Sequence, residues 1–322
     1  MTVIINSAWG GRVTQFVDRQ ITQPLPTGTT RVVDTESYKL LVLVTIDAVV
    51  TIAYTGIAVV HQQWFDNLLA NTIAHEKLDI AVAQPSFRHL SRPLHTIIWE
   101  MSLNLNGRLN TDKRGRLHEL KLSIVGYHVH PRTNRCRPLS WTMSRDIREN
   151  GNRYFKIEKS QLGKYLRANP LGLWAECYGD HGSTVPDGLS ALGETEGLDH
   201  DGIERYVANL IVKRSKETVT VGAECLALQI DLRIPDGHVQ ITYYPKQGPA
   251  LLLSPWVLMP RLICSPTAQT PTASKSKCGL YATGGFLDGY SNLHVSTRVP
   301  IEFKKPYDGN VVFEAQERKA TI

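Results

Sequence analysis

The sequence predicts an α+β protein: a four-layer αββα sandwich of two mainly antiparallel sheets with a C-terminal extension. Three observations lead there. β-rich runs joined by tight turns open the chain, amphipathic helical stretches separate later groups of strands, and the composition shifts toward Pro, Gly, Ser and Thr after Tyr244. Residues 1–244 are expected to form the core, and residues 245–322 an extension packed on it.

The first strand is Val3 to Trp9, and Gly10-Gly11 is a two-residue hairpin signal. Arg12 to Thr22 reads as its partner. After Pro24, Pro26 and Gly28, strand character resumes at Arg31. Leu40 to Val60 is long and apolar enough to span a bilayer. Asp47 lies near its middle, where a charge costs about 2.5–3.5 kcal/mol on insertion, and Val, Ile and Thr dominate it. The segment therefore reads as two buried strands turning at Ile46-Asp47-Ala48, with no membrane partner. Gln62 to Leu78 and Pro93 to Asn104 have helical spacing. Leu117 to Val129 alternates as a strand, and Trp141 to Asn150 reads as strand and loop. Ser160 to Ala168 and Asp199 to Arg214 are helices, Thr218 to Leu232 and Val239 to Tyr244 strands. Ser265 to Lys277 reads as a loop and Pro300 to Glu314 as an edge strand.

The chain has 36 basic and 30 acidic residues, a net charge of +6 spread along its length. Its densest basic run, Lys113-Arg114-Gly115-Arg116, reads as a loop tip, so no nucleic-acid partner is expected. Five cysteines without CxxC spacing argue against a zinc site or a disulfide framework. With no signal peptide visible, the cytoplasm is the expected setting.

Thr2 follows Met1, and methionine before a small residue is usually removed by aminopeptidase. That exposes an α-amine of pKa about 7.7–8.0 on the residue that carries the hydroxyl, a minimal base–nucleophile unit. Beyond it come a strand, Gly10-Gly11, a second strand ending near Asp18, then Thr22, then Lys39 before Leu40-Leu41-Val42-Leu43, then Ala53-Tyr54-Thr55-Gly56. This order resembles the start of proteasome β subunits and their bacterial relatives, N-terminal-nucleophile hydrolases. The resemblance implies a cofactor-free hydrolase of peptide or amide bonds. Thr2 would attack the acyl carbon, with Lys39 lowering the proton affinity of the hydroxyl or amine and Asp18 holding Lys39. Gly56 would give an oxyanion-hole N–H, and Thr22 would line the substrate groove. Such folds commonly assemble into rings, so a homo-oligomer is a further implication. Leu122 to Tyr127 and Thr220-Val221-Gly222 agree more loosely. The loop before Lys39 and the spacing from Lys39 to Gly56 are longer than in the family, and Glu217-Thr218-Val219-Thr220 is the nearest match to its Asp-x-x-Ser element. These departures fit an alternative, a non-catalytic structural or interaction protein of the same fold.

Other motifs read as structural. His128-Val129-His130 lacks a third metal ligand. Asp180-His181 with Ser183 reads as a polar turn, Asp199-His200-Asp201 as a helix cap, and Thr283-Gly284-Gly285 as a plain turn. Trp174, Trp256 and Tyr243-Tyr244 read as core or contact residues.

Overall fold

A computed structural model describes residues 2–35, 39–45, 47–60, 63–74, 92–110, 120–130, 135–147, 153–168, 173–180, 197–231, 238–244, 250–253, 256–258, 284–287, 293–297 and 313–317. The loop expected at Ser265 to Lys277 and the turn at Thr283 lie outside these residues, as does most of the strand expected over Pro300 to Glu314.

The chain opens with a hairpin of β1 (Val3–Trp9) and β2 (Arg12–Asp18). Gly10 and Gly11 have φ of 54° and 82°, the left-handed pair that a tight hairpin turn needs and glycine adopts freely. The second strand is shorter than the sequence suggested. It stops at Asp18, and β3 (Ile21–Pro24) then pairs with β4 (Thr30–Asp34) in a separate ribbon. Local bonds redirect the chain there: the Arg19 N–H donates to the Glu224 carbonyl at 3.0 Å, and the Gln20 N–H to the Asp18 carboxylate at 3.2 Å.

The apolar segment after Lys39 is a hairpin of β5 (Leu40–Val44) and β6 (Ala48–Thr55). No helix among the described residues is long and apolar enough to cross a membrane. Asp47 belongs to the turn. Its carboxylate accepts from the Thr45 hydroxyl at 2.8 Å and from the Leu94 N–H at 2.7 Å, capping the helix that starts there.

A short ribbon of β7 (Val59–Val60) and β8 (Gln63–Trp64) leads into α1 (Phe65–Ala74), and α2 (Leu94–Asn110) outruns the helix expected from sequence. Next come β9 (Lys121–His130), β10 (Arg135–Ile147), β11 (Arg153–Lys159), α3 (Leu162–Ala168) and β12 (Trp174–Gly179). The chain continues through α4 (His200–Ser215), β13 (Cys225–Asp231) and β14 (His238–Tyr244). The remaining strands are β15 (Ala250–Leu253), β16 (Trp256–Leu258), β17 (Gly284–Leu287), β18 (Leu293–Thr297) and β19 (Phe313–Glu317). Sequence reading missed β11 and β12 as strands. Both are half-exposed and lack a buried apolar alternation.

The strands form a seven-stranded sheet ordered β12-β1-β2-β13-β14-β18-β19 and a six-stranded sheet ordered β11-β10-β9-β6-β5-β16. Pairing is antiparallel except between β16 and β5. The expected α+β class with mainly antiparallel sheets is what the chain adopts. Helices α1 and α2 bury Leu69, Ile73, Ile98 and Met101 against Leu43, Ile52 and Ile124 of the six-stranded sheet. Helix α4 buries Ile203, Val207 and Ile211 against Val3, Ile5 and Phe16 of the seven-stranded one. Polar groups join the sheets directly. The Asn6 amide donates to the Ser123 hydroxyl at 2.7 Å, and the Gln15 amide to Asn6 Oδ1 at 3.0 Å and to the Ser123 carbonyl at 3.2 Å.

A carboxylate on the buried face of α4 reaches the seven-stranded sheet. The Glu204 carboxylate accepts from the Gln229 amide at 2.6 Å, the Tyr244 hydroxyl at 3.1 Å and the Thr14 hydroxyl at 3.5 Å. Burial pushes its carboxyl up to about 7, against the pull of Tyr244 and Arg12. A raised carboxyl pKa means that the folded state holds a proton the unfolded state releases. The resulting penalty is absent below the ordinary value near 4.5 and complete above about 7. Glu204→Gln should therefore stabilise the protein more at pH 8 than at pH 5, by up to about 3 kcal/mol, measured by denaturant unfolding at both pH values. Asp47→Ala should remove about 1–2 kcal/mol by orphaning the Leu94 N–H, seen as a lower urea midpoint with unchanged slope.

Candidate active site

The hairpin turn at Gly10-Gly11 sets the register of β2 against β1, and Asp18 is the last residue of β2. Its side chain is fully buried, at 0% exposure. Oδ1 accepts from the Val3 N–H at 2.7 Å. Oδ2 accepts from the Gln20 and Gly222 N–H groups at 3.2 Å each and from Lys39 Nζ at 3.0 Å. Lys39 immediately precedes β5 and is 3% exposed; its ammonium also donates to the Gln20 carbonyl. Burial lowers the lysine pKa from its ordinary value, and the Asp18 charge and hydrogen bond only partly oppose this. A lysine so placed gives up its proton more readily than one in water.

Thr2 lies beside this pair, 4% exposed. Its neighbour Val3 reaches Asp18, while its own carbonyl accepts from the Asp180 N–H at 3.0 Å and the Thr55 hydroxyl at 3.4 Å. Gly179 has φ 84°, and a Cβ there would run into the Thr2 carbonyl, so the end of β12 can approach this closely only as glycine. Gly56 follows Thr55 at the end of β6 with φ 105°. Thr22 is half-buried in β3, at the bulge opposite Val32.

The structure thus joins Asp18 and Lys39 in one ion pair and tethers Thr2 to the ends of β6 and β12. No hydrogen bond between the Thr2 hydroxyl and Lys39 is made among the described residues.

Sequence reading missed a second cluster here. The Asp180 carboxylate accepts from Arg214 Nη2 at 2.6 Å and from the Thr220 hydroxyl, and the Asp180 carbonyl accepts from Arg214 Nε at 3.0 Å. Burial pushes the Asp180 carboxyl up, but the Thr220 and Arg214 hydrogen bonds outweigh it and hold the carboxyl below its ordinary value. Asp180 is the residue after β12, and His181 and Ser183 lie outside the described residues. The signal that pointed toward it was Thr220, in the Glu217-Thr218-Val219-Thr220 stretch. The strand expected over residues 218–224 is absent because turns there carry Thr220 to Asp180 and Gly222 to Asp18. A Cβ on Gly222 would lie 2.7 Å from the Gln20 side chain.

Among the described residues, no group of three or more His, Cys, Asp or Glu side chains could hold a metal ion.

No family model and no curated protein matches the chain. Among solved structures it is similar to Anbu from Hyphomicrobium sp. strain MC1, at TM-score 0.44 and 9% identity over 71% of this chain and 82% of that one. It is also similar to the Anbu complex of Pseudomonas aeruginosa, a helical assembly, at TM-score 0.41 and 9% identity over 70% and 80%. The proteasome β-subunit membership suggested by the N-terminal residues is thereby corrected. These neighbours are Anbu proteins, and no family model places the chain among the proteasome subunits. The physical reason is that the likeness lay in a tight hairpin, an Asp–Lys pair and a glycine turn. Such local features do not define a family. At these TM-scores the similarities decide nothing about the chemistry, which rests on the contacts above.

Removing Asp18 while leaving Lys39 isolates a buried cation. Asp18→Asn should cost about 3–5 kcal/mol, and Asp18→Asn with Lys39→Met much less, measured as a double-mutant cycle by chemical denaturation.

Proposed function

We propose that the chain hydrolyses amide or peptide bonds with Thr2 as an N-terminal nucleophile, once Met1 is removed. The observation that carries this reading is the buried Asp18–Lys39 pair, hydrogen-bonded to the backbone at Val3, directly after Thr2. In the proposed reaction the Thr2 hydroxyl gives its proton to the freed α-amine as Oγ attacks the acyl carbon. Lys39, with its lowered pKa, tunes that transfer electrostatically, and Asp18 fixes Lys39 in place. The amine returns the proton to the leaving nitrogen, and water then releases the acyl group. The Gly56 N–H, at the turn after Thr55, would stabilise the oxyanion, a contact worth about 2.7–4 kcal/mol in other hydrolases. Thr22 would line the substrate groove. No cofactor takes part.

The proposed setting is a four-layer αββα sandwich, α1 and α2 covering one sheet and α4 the other. Residues 1–244 form its core, with residues 245–322 as an extension whose strands β16, β18 and β19 add to the edges of its two sheets. The proposal places the protein in the cytoplasm, as a homo-oligomer, without nucleic-acid or membrane partners. A second reading, a non-catalytic structural or interaction protein, is favoured by one observation: Thr2 is only 4% exposed.

Intact mass before and after a threonine-reactive electrophile separates the two. The hydrolase should lack Met1 and gain one adduct, and Thr2→Ala and Lys39→Met should abolish the adduct while melting remains cooperative. Retention of Met1 on the native protein, or no adduct at all, would leave the non-catalytic reading.

A further inference from the structure

A cavity of about 590 Å³ opens at the far edge of the six-stranded sheet, where α3 crosses β10 beside β9 and β11. That volume lies in the range of small-molecule sites, about 300–1,000 Å³. Its lining is charged in one sense. Arg137 comes from β10, Lys159 from β11 and Lys164 from α3, with the His128 imidazole from β9 opposite Arg137. No carboxylate is among the described residues that line it. Of the nearby carboxylates, Glu158 pairs with Lys156 at 2.6 Å, and Glu176 accepts from the hydroxyl of the lining residue Ser140 at 2.9 Å. Among the described residues none of the three cations is in a salt bridge. Three like charges around one concavity raise the local positive potential and favour an anion there.

The wall also carries a flat apolar surface. Trp141 is half-buried and lines the cavity, and Lys159 Nζ stands 5.3 Å from its ring centroid. The cation–π contact holds an ammonium next to an aromatic face. Arg137 adds a planar fork suited to phosphate oxygens, with Lys164 as a point charge.

We propose that this cavity binds a small organic phosphate that carries a flat ring, its phosphate among Arg137, Lys159 and Lys164 and its ring against Trp141. The site is separate from Thr2 and does not depend on the hydrolase reading.

The test is calorimetric titration of the full chain with phenyl phosphate, alongside inorganic phosphate and benzyl alcohol. Phenyl phosphate should bind saturably and more tightly than inorganic phosphate, and benzyl alcohol should not bind. Arg137→Ala and Lys164→Ala should each weaken binding about tenfold or more with unchanged melting temperature, and Trp141→Leu should reduce the preference for phenyl phosphate over inorganic phosphate. Thr2→Ala should bind as the unaltered chain does. Absence of saturation, unchanged affinity in both cation variants, or equal binding of benzyl alcohol would overturn the proposal.

Discussion

A single buried carboxylate ties this molecule together. Asp18 receives the Val3 N–H from β1, the Gln20 N–H that turns the chain out of the sheet, the Gly222 N–H from the turn before β13, and the Lys39 ammonium that leads into β5. Apart from Gln20, these donors come from segments distant from Asp18 in sequence, and they bring the first strands of both large sheets to one point. A carboxylate out of water is tolerated only when its lone pairs are filled and its charge is balanced. Here both conditions hold, so each segment is fixed to the others by the cost of leaving Asp18 unsatisfied. Lys39 carries the other half of that cost, which appears as its lowered pKa.

The same economy runs through the interior. Strands β1, β2, β6 and β9 are buried along nearly their whole described length. Asn6, Gln15 and Ser123 hydrogen-bond to one another between the two sheets, which gives a polar lock amid Ile and Val, with Gln15 Oε1 left without a partner among the described residues. Such networks specify a single pairing of the two sheets, because a slip would strand polar groups without partners. Glu204, on the buried face of α4, is the costlier case. It has three donors and no salt-bridge partner among the described residues, and burial pushes its carboxyl up.

Much of this was legible in the residues. Gly10-Gly11 marked the first turn because only glycine accepts that backbone without strain. The Val- and Ile-rich run after Lys39 marked a buried hairpin, and the spacing of Ile203, Val207 and Ile211 marked α4. The N-terminal order was read too specifically when it suggested a proteasome subunit, since hairpin, ion pair and glycine turn are each local solutions. What was not legible depends on distant partners. β11 and β12 are half-exposed strands without an apolar rhythm. Residues 218–224 look like strand, and it took Asp18 and Asp180 to hold them as turns.

The sequence by itself determined the two-faced strands, the amphipathic helices and the turn residues, because these follow from side-chain periodicity and backbone freedom within a few residues. It also determined that Asp18 and Lys39 exist near the ends of strands. Only the tertiary structure decided that they meet, that Asp180 is clamped by Arg214 and Thr220 against the carbonyl of Thr2, and that Arg137, Lys159 and Lys164 face one cavity. Charge pairing and cavity lining arise between segments brought together by hydrophobic burial, which rewards apolar contact without naming its partner. The polar contacts then select one arrangement among those that burial allows.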